Sequence, residues 1–140
     1  MTSRKVSQRI PFTPSKTQAA LLEQCFGARR FAYNRQVEAF NSYDKDTNPR
    51  PSYPNVTDMK NENEWLRGSP IPSNALSGAI RDFRRAQSVY FRKAEYGKNR
   101  PRFASKNDSV QSFRNSMPMR RMEGNRYPLS KKLGSVRIRR

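Results

Sequence analysis

The apolar positions of this chain change their period several times, and each change marks an element. From Arg4 to Phe12 they alternate loosely, with Val6, Ile10 and Phe12 as apolar members, which predicts a short strand closed by Pro11. Thr13-Pro14 reads as a helix start, because a hydroxyl caps free amides and proline at the first helical position gives up nothing by lacking an N–H. A helix follows to about Phe26, where Gly27 breaks it. A second helix runs from Ala28 to Tyr43 with Tyr33, Val37 and Phe40 on one face, so the two predict a helical hairpin.

Residues 44–57 hold three prolines, two aspartates and two asparagines, the composition of a loop. A weak helix over Asp58 to Trp65 follows, with Trp65 and Leu66 placed to plug the helical core rather than to stack on a base. The clearest pattern is Ser73 to Ala94, opened by Pro72 and Ser73. There Leu76, Ile80, Phe83, Ala86 or Gln87, and Tyr90 recur at helical spacing and predict one buried stripe.

Beyond Gly97 the chain becomes a basic loop, Lys98 to Lys106. A strand over Asp108 to Arg114 is expected next, carrying Val110 and Phe113. Two strands then lie around a Lys131-Lys132 turn, Tyr127-Pro128-Leu129 and Gly134 to Arg140. The last alternates Val136 and Ile138 with Arg137 and Arg139, one side apolar and the other basic. It stops without a closing turn, which predicts a chain cut from something longer. The fold class expected is α+β: a strand at 1–12, a helical insert at 13–95, and a basic loop with strands at 96–140. No repeat of 20–50 residues is visible.

Charge changes the picture most. Residues 1–80 carry 11 Lys+Arg against 7 Asp+Glu, and residues 81–140 carry 18 against 4. An excess of this size repels itself in a compact fold and is neutralised by a polyanion, first of all the phosphates of nucleic acid. Within Ser73–Ala94, Arg81, Arg85, Ser88 and Arg92 follow the 4-3-4 rhythm of a face distinct from the apolar stripe, with Arg84 beside them. Few acidic residues are interleaved, so a guanidinium row facing phosphates is favoured over an ordinary solvated face. Lys98, Arg100, Arg102 and Lys106 extend this track.

Other chemistry is narrowed by composition. There is no histidine and a single cysteine, which excludes an internal disulfide, a Cys/His zinc site and histidine proton transfer. Cys25 lies in the apolar run Leu21, Leu22, Cys25, Phe26 and reads as a core thiol rather than a nucleophile. Asp44, Asp46 and Asn48 imitate the start of a calcium loop, but Pro49 and Asn55 occupy positions that need glycine and a bidentate glutamate. No cofactor, metal or catalytic residue is assigned. With 34% hydrophobic residues and a mean hydropathy of −1.05, a soluble cytoplasmic protein is expected, nucleoid-associated if bacterial, parts of it ordered only on a partner.

Several short motifs in order carry a resemblance. They are the strand and Thr-Pro helix start, Gly27-Ala28-Arg29-Arg30-Phe31-Ala32-Tyr33-Asn34, Trp65-Leu66, Ser73-Asn74-Ala75-Leu76 leading into Arg81-Asp82-Phe83, Arg100-Pro101-Arg102-Phe103, and Lys132 to Arg137. Together they resemble the N-terminal region of the TnpB/OrfB transposon-encoded family of RNA-guided nucleases, over nearly the whole chain. The resemblance implies a helix-turn-helix domain and wedge and recognition lobes. The wedge would be a small β-barrel of the N-terminal strand and the strands after about residue 105. Such lobes hold a guide RNA scaffold, clasp the guide–target heteroduplex and read a short motif beside the target. The family's RuvC-like carboxylates and zinc ribbon have no counterpart in this sequence, which implies binding without catalysis.

The resemblance places the motif-reading surface near Tyr53 and the start of the long helix, at Ser73, Asn74 and Ser77, where the family carries longer side chains. Ser73 has capping its helix as the plainer role. Arg29, Arg30, Tyr33 and Asn34 lie in the best-matched motif, with Arg30 readable as a structural clamp and Phe31 and Tyr33 as core. Phe103 either stacks on an unpaired base or seats its loop, and Arg114 completes the candidate set. The partners expected are RNA and DNA, no membrane, and a RuvC-bearing chain if the protein is one half of a split nuclease. A plain helix-turn-helix DNA-binding regulator is the remaining reading.

Overall fold

The computed structural model describes residues 9–67, 71–92, 100–114, 124–130 and 133–138. Its elements are β1 (Phe12–Thr13), α1 (Lys16–Asn41), α2 (Val56–Glu62), a 3-10 turn (Glu64–Arg67), α3 (Ser73–Arg92), β2 (Arg126–Ser130) and β3 (Gly134–Ile138). The α+β class holds, with three helices beside an antiparallel sheet of order β1-β3-β2. Phe12 pairs with Ile138 and Thr13 with Arg137, so a strand before the helices does meet one after them, but β1 begins where the expected strand was to close, and Arg9, Ile10 and Pro11 form no strand. Val136 is buried and Arg137 exposed, as the alternation predicts.

The expected hairpin is not formed, because α1 is a single helix through Gly27. A mid-helix glycine costs about 1 kcal/mol relative to alanine. Against that stand Cys25, Ala28 and Ala32, all fully buried on either side of it. Gly27 has no left-handed backbone; among the described residues positive φ occurs at Gly124 and Gly134. The start also shifts: Thr13 pairs in the sheet, and Ser15 caps the helix in a capping box with Gln18.

Three apolar clusters follow one another along α1. Leu22 and Cys25 pack with Leu133, and with Phe26, Phe113 and Leu129, against the sheet. Ala28 and Ala32 then meet Met59, Leu66, Leu76 and Ala79. Val37 and Phe40 close on Phe83 and Tyr90. Since the partners on α3 ascend in the same order, α1 and α3 lie side by side and run the same way. The small residues Ala28, Ala32, Ala75, Gly78 and Ala79, all buried, suit a close approach of the two backbones.

Polar side chains of α1 hold the irregular segments. Gln36, buried, donates Nε2 to Pro54 O at 2.6 Å and anchors the 44–57 loop. Arg35 grips Glu62 through two bonds and fixes α2, whose N-terminus is capped by Asn55 with Asp58. The Asp44 carboxylate accepts from the amides of Asp46 and Thr47, which holds its pKa below the usual value. It therefore serves its own turn.

Two further expectations are corrected. Trp65 is 48% exposed, meeting Phe31 edge-on, while Leu66 alone fills the core. Residues 108–114 form no strand, because Asp108 and Gln111 spend their side chains on the backbone of residues 105–108, a local alternative to a sheet ladder. Val110 is exposed as a result, although Phe113 packs on Phe26 with ring centroids 5.5 Å apart. The expected strand residues Arg4 and Val6, and the Lys131-Lys132 turn, lie outside the described residues.

Candidate nucleic-acid interface

α3 divides as its pattern predicts. Leu76 and Phe83 are buried, whereas Arg81, Arg84, Arg85 and Arg92 are exposed and none of the four forms an ion pair among the described residues. The one acidic residue of the helix, Asp82, is already engaged. Arg114 donates to it from Nε at 3.2 Å and from Nη2 at 2.8 Å, and Arg29 approaches at 3.5 Å from the other side. Among the described residues the guanidinium row is thus left without local counter-charge.

Arg85 does not stand alone. With Arg100 and Arg102 it lines a groove of 580 Å³ between α3 and the basic loop, floored by Tyr33, Ala86 and Val89. Arg100 is held in place, its guanidinium 4.4 Å from the centre of the Phe40 ring and its Nη2 donating to Asn41 Oδ1 at 3.0 Å. The loop is pinned further on by Asn34, which donates to Ala104 O at 3.0 Å and accepts from Ala104 N at 2.6 Å. Next to that clamp Phe103 is 56% exposed. Lys106 is exposed in the following turn.

The best-matched motif has internal tasks. Arg29 pairs with Asp82 and lies over Tyr33 at 4.6 Å, and Arg30 donates to Gln111 Oε1 at 2.6 Å, the structural clamp foreseen as its alternative. Tyr33 packs edge-on against Phe83. Burial raises its phenol pKa, Arg29 opposes the rise and Asp82 adds to it. Arg114 lies across Gly78, where an added Cβ would come within 2.7 Å of its Cδ.

The expected motif-reading residues separate into two places. Ser73 lies within the first turn of α3 and accepts from Lys60 Nζ at 2.8 Å, so it is not the cap. Asn74 and Ser77 are half-buried in the same region, with Ser77 Oγ directed at Asn74 O at 3.5 Å. Tyr53 sits against Phe83 and accepts from Gln87 Nε2 at 3.1 Å. Ser73 and Gln87 stand roughly 20 Å apart along the helix. Lys98 lies outside the described residues.

The sequence reading missed Asp82, Gln111 and Asn41 as organisers of the arginines, and Tyr43 and Phe91 as surface aromatics. The only signal for Phe91 was an aromatic residue next to Tyr90 and off the buried stripe, and Tyr43 had none.

Among the described residues no helix is long and apolar enough to cross a membrane. No curated protein matches this chain. Residues 1–43 do match the family HTH_OrfB_IS605, a helix-turn-helix domain, and the match suggests DNA binding. In the described part of that segment the elements are β1 and the unbroken α1. The match covers 43 of the 140 residues, and over them it supports, independently of the charge pattern, a likeness to the N-terminal region of the TnpB/OrfB family.

Proposed function

We propose that the chain is a nucleic-acid-binding module without catalysis of its own, which holds a structured RNA and the DNA beside its target. Arg81, Arg84, Arg85 and Arg92 on α3, with Arg100, Arg102 and Lys106 on the loop, contact phosphates. Arg30, Asn34 and Arg114 act behind them, fixing the following segment to the helices, and Arg29 ties α1 to α3. Ser73, Asn74 and Ser77 form a separate polar patch at the start of α3, suited to a base edge or a phosphate.

The observation that carries this reading is that Arg85, Arg100 and Arg102 converge on one groove while Asp82, the only carboxylate lining it among the described residues, is occupied by two other arginines. Affinity from such contacts falls steeply with salt and discriminates little between sequences. The test is a salt titration of the full chain on a structured RNA and on duplex DNA, together with sequencing of the RNA that copurifies from cells. A steep negative slope of log affinity against log salt, with an enriched transcript, is expected. Weak, salt-insensitive binding with no enriched transcript would overturn the proposal.

A further inference from the structure

Beside the arginine groove, and sharing Arg100 as a wall, lies a second cavity of 420 Å³ with a different lining. Five aromatic side chains surround it: Phe40, Tyr43, Tyr53, Tyr90 and Phe91. Phe40 belongs to the core, but Tyr43 is 57% and Phe91 59% exposed. Ring contacts brace the wall, with Phe40 6.0 Å from both Tyr90 and Phe91, and Tyr90 5.5 Å from Phe91. Exposed rings gathered at one place on so polar a chain mark a contact site rather than a scattered surface.

We propose that this cavity receives an unpaired nucleobase from a single-stranded segment whose phosphates run through the neighbouring groove. The inference rests on the nucleic-acid reading and adds the state of the strand that is bound. Flat aromatic faces stack on any base, and a duplex keeps its bases inside, so a pocket of this lining selects unpaired nucleotides. A polar handle is present as well. Gln87 gives one hydrogen of its amide to Tyr53, and among the described residues its Oε1 has no partner, leaving an acceptor for the amino edge of a base. Arg100, stacked on Phe40 and shared by both cavities, is placed between base and phosphate. The charge of the adjoining groove commits the occupant to nucleic acid rather than to an apolar protein segment.

The test compares binding of the full chain to short single-stranded RNA and DNA, to the same strands carrying abasic sites, and to duplex DNA. Phe91→Ala and Tyr43→Ala are expected to weaken binding of the base-bearing strand about tenfold and to leave the abasic strand and the duplex unchanged. Phe91→Leu keeps an apolar side chain without the ring and is expected to behave as Phe91→Ala. A larger loss on RNA assigns the base to RNA, and a larger loss on DNA assigns it to DNA. Either result supports the pocket. Equal losses on the abasic strand, or no loss on the base-bearing strand while salt-dependent duplex binding persists, would overturn the pocket alone and leave the aromatic face to a protein partner. A chain that bound neither strand nor duplex would defeat the parent reading with it.

Discussion

Gln18 Nε2 donates to Ser135 O at 2.6 Å, joining the first turn of α1 to a strand 117 residues later. The same amide nitrogen donates to Leu133 O at 3.1 Å, while Gln18 Oε1 accepts from Ser15 N and closes the capping box. Gln18→Ala should therefore cost about 2 kcal/mol, since it removes two part-buried hydrogen bonds to backbone carbonyls. Gln18→Glu should cost more, although it keeps the cap, because it sets a carboxylate against those carbonyls. Urea unfolding checks the order, and a glutamate variant as stable as wild type would refute it.

The two helical glycines should respond oppositely to alanine. At Gly27 the nearest atom to an added Cβ is Arg30 Nη2 at 3.6 Å, an ordinary contact, so Gly27→Ala should stabilise by about 0.5–1 kcal/mol. At Gly78 the Cβ meets Arg114 Cδ at 2.7 Å and Cβ at 2.9 Å, so Arg114 must leave its place and loosen its bonds to Asp82. Gly78→Ala should destabilise by about 1–2 kcal/mol. Thermal melts of the pair decide this.

Arginine substitutions should sort by their partners. Replacing Arg81, Arg85 and Arg92 by glutamine should reduce the slope of log affinity against log salt by roughly one unit for each phosphate no longer neutralised, with the melting temperature unchanged. Arg114→Gln gives up the bonds to Asp82 and should lower stability while leaving the slope nearly intact. An unchanged slope in the triple variant would return that face to ordinary solvated surface.

Burial pushes the Cys25 thiol up to about 11. At pH 8 it should therefore react with a disulfide reagent only as fast as the protein opens, and denaturant should release the reaction. A raised pKa means that the folded chain holds this proton more tightly than the unfolded one. The contribution to stability is complete below the unfolded value near 9 and declines as pH rises toward 11. Fast labelling of the native protein would refute this.

Much of this fold was legible because one pattern decided each element. The stripe Leu76, Ile80, Phe83, Tyr90 set α3 and the side its arginines take, and the alternation Val136-Arg137-Ile138 set β3. α1 was misread at Gly27 because a local penalty of about 1 kcal/mol is visible in sequence, whereas the burial of Cys25, Ala28 and Ala32 that outweighs it is not. The arginines were legible as a set but not by task. Nothing near Arg30 or Arg114 announces Gln111 or Asp82, and Tyr53 joins Tyr43 and Phe91 through long-range contacts, among them the bond by which Gln36 ties the 44–57 loop to α1.

The strand order β1-β3-β2 also has a consequence for biosynthesis. The partner of β1 is made only after all three helices, so the sheet waits for residue 138, whereas α1 and α3 are able to pair once residue 92 is out. The helical part should form early and the sheet should close late, by a pairing of high contact order. Until then the Leu22–Cys25 end of α1 stays uncovered, and this end is where a nascent or interrupted chain would be exposed to aggregation.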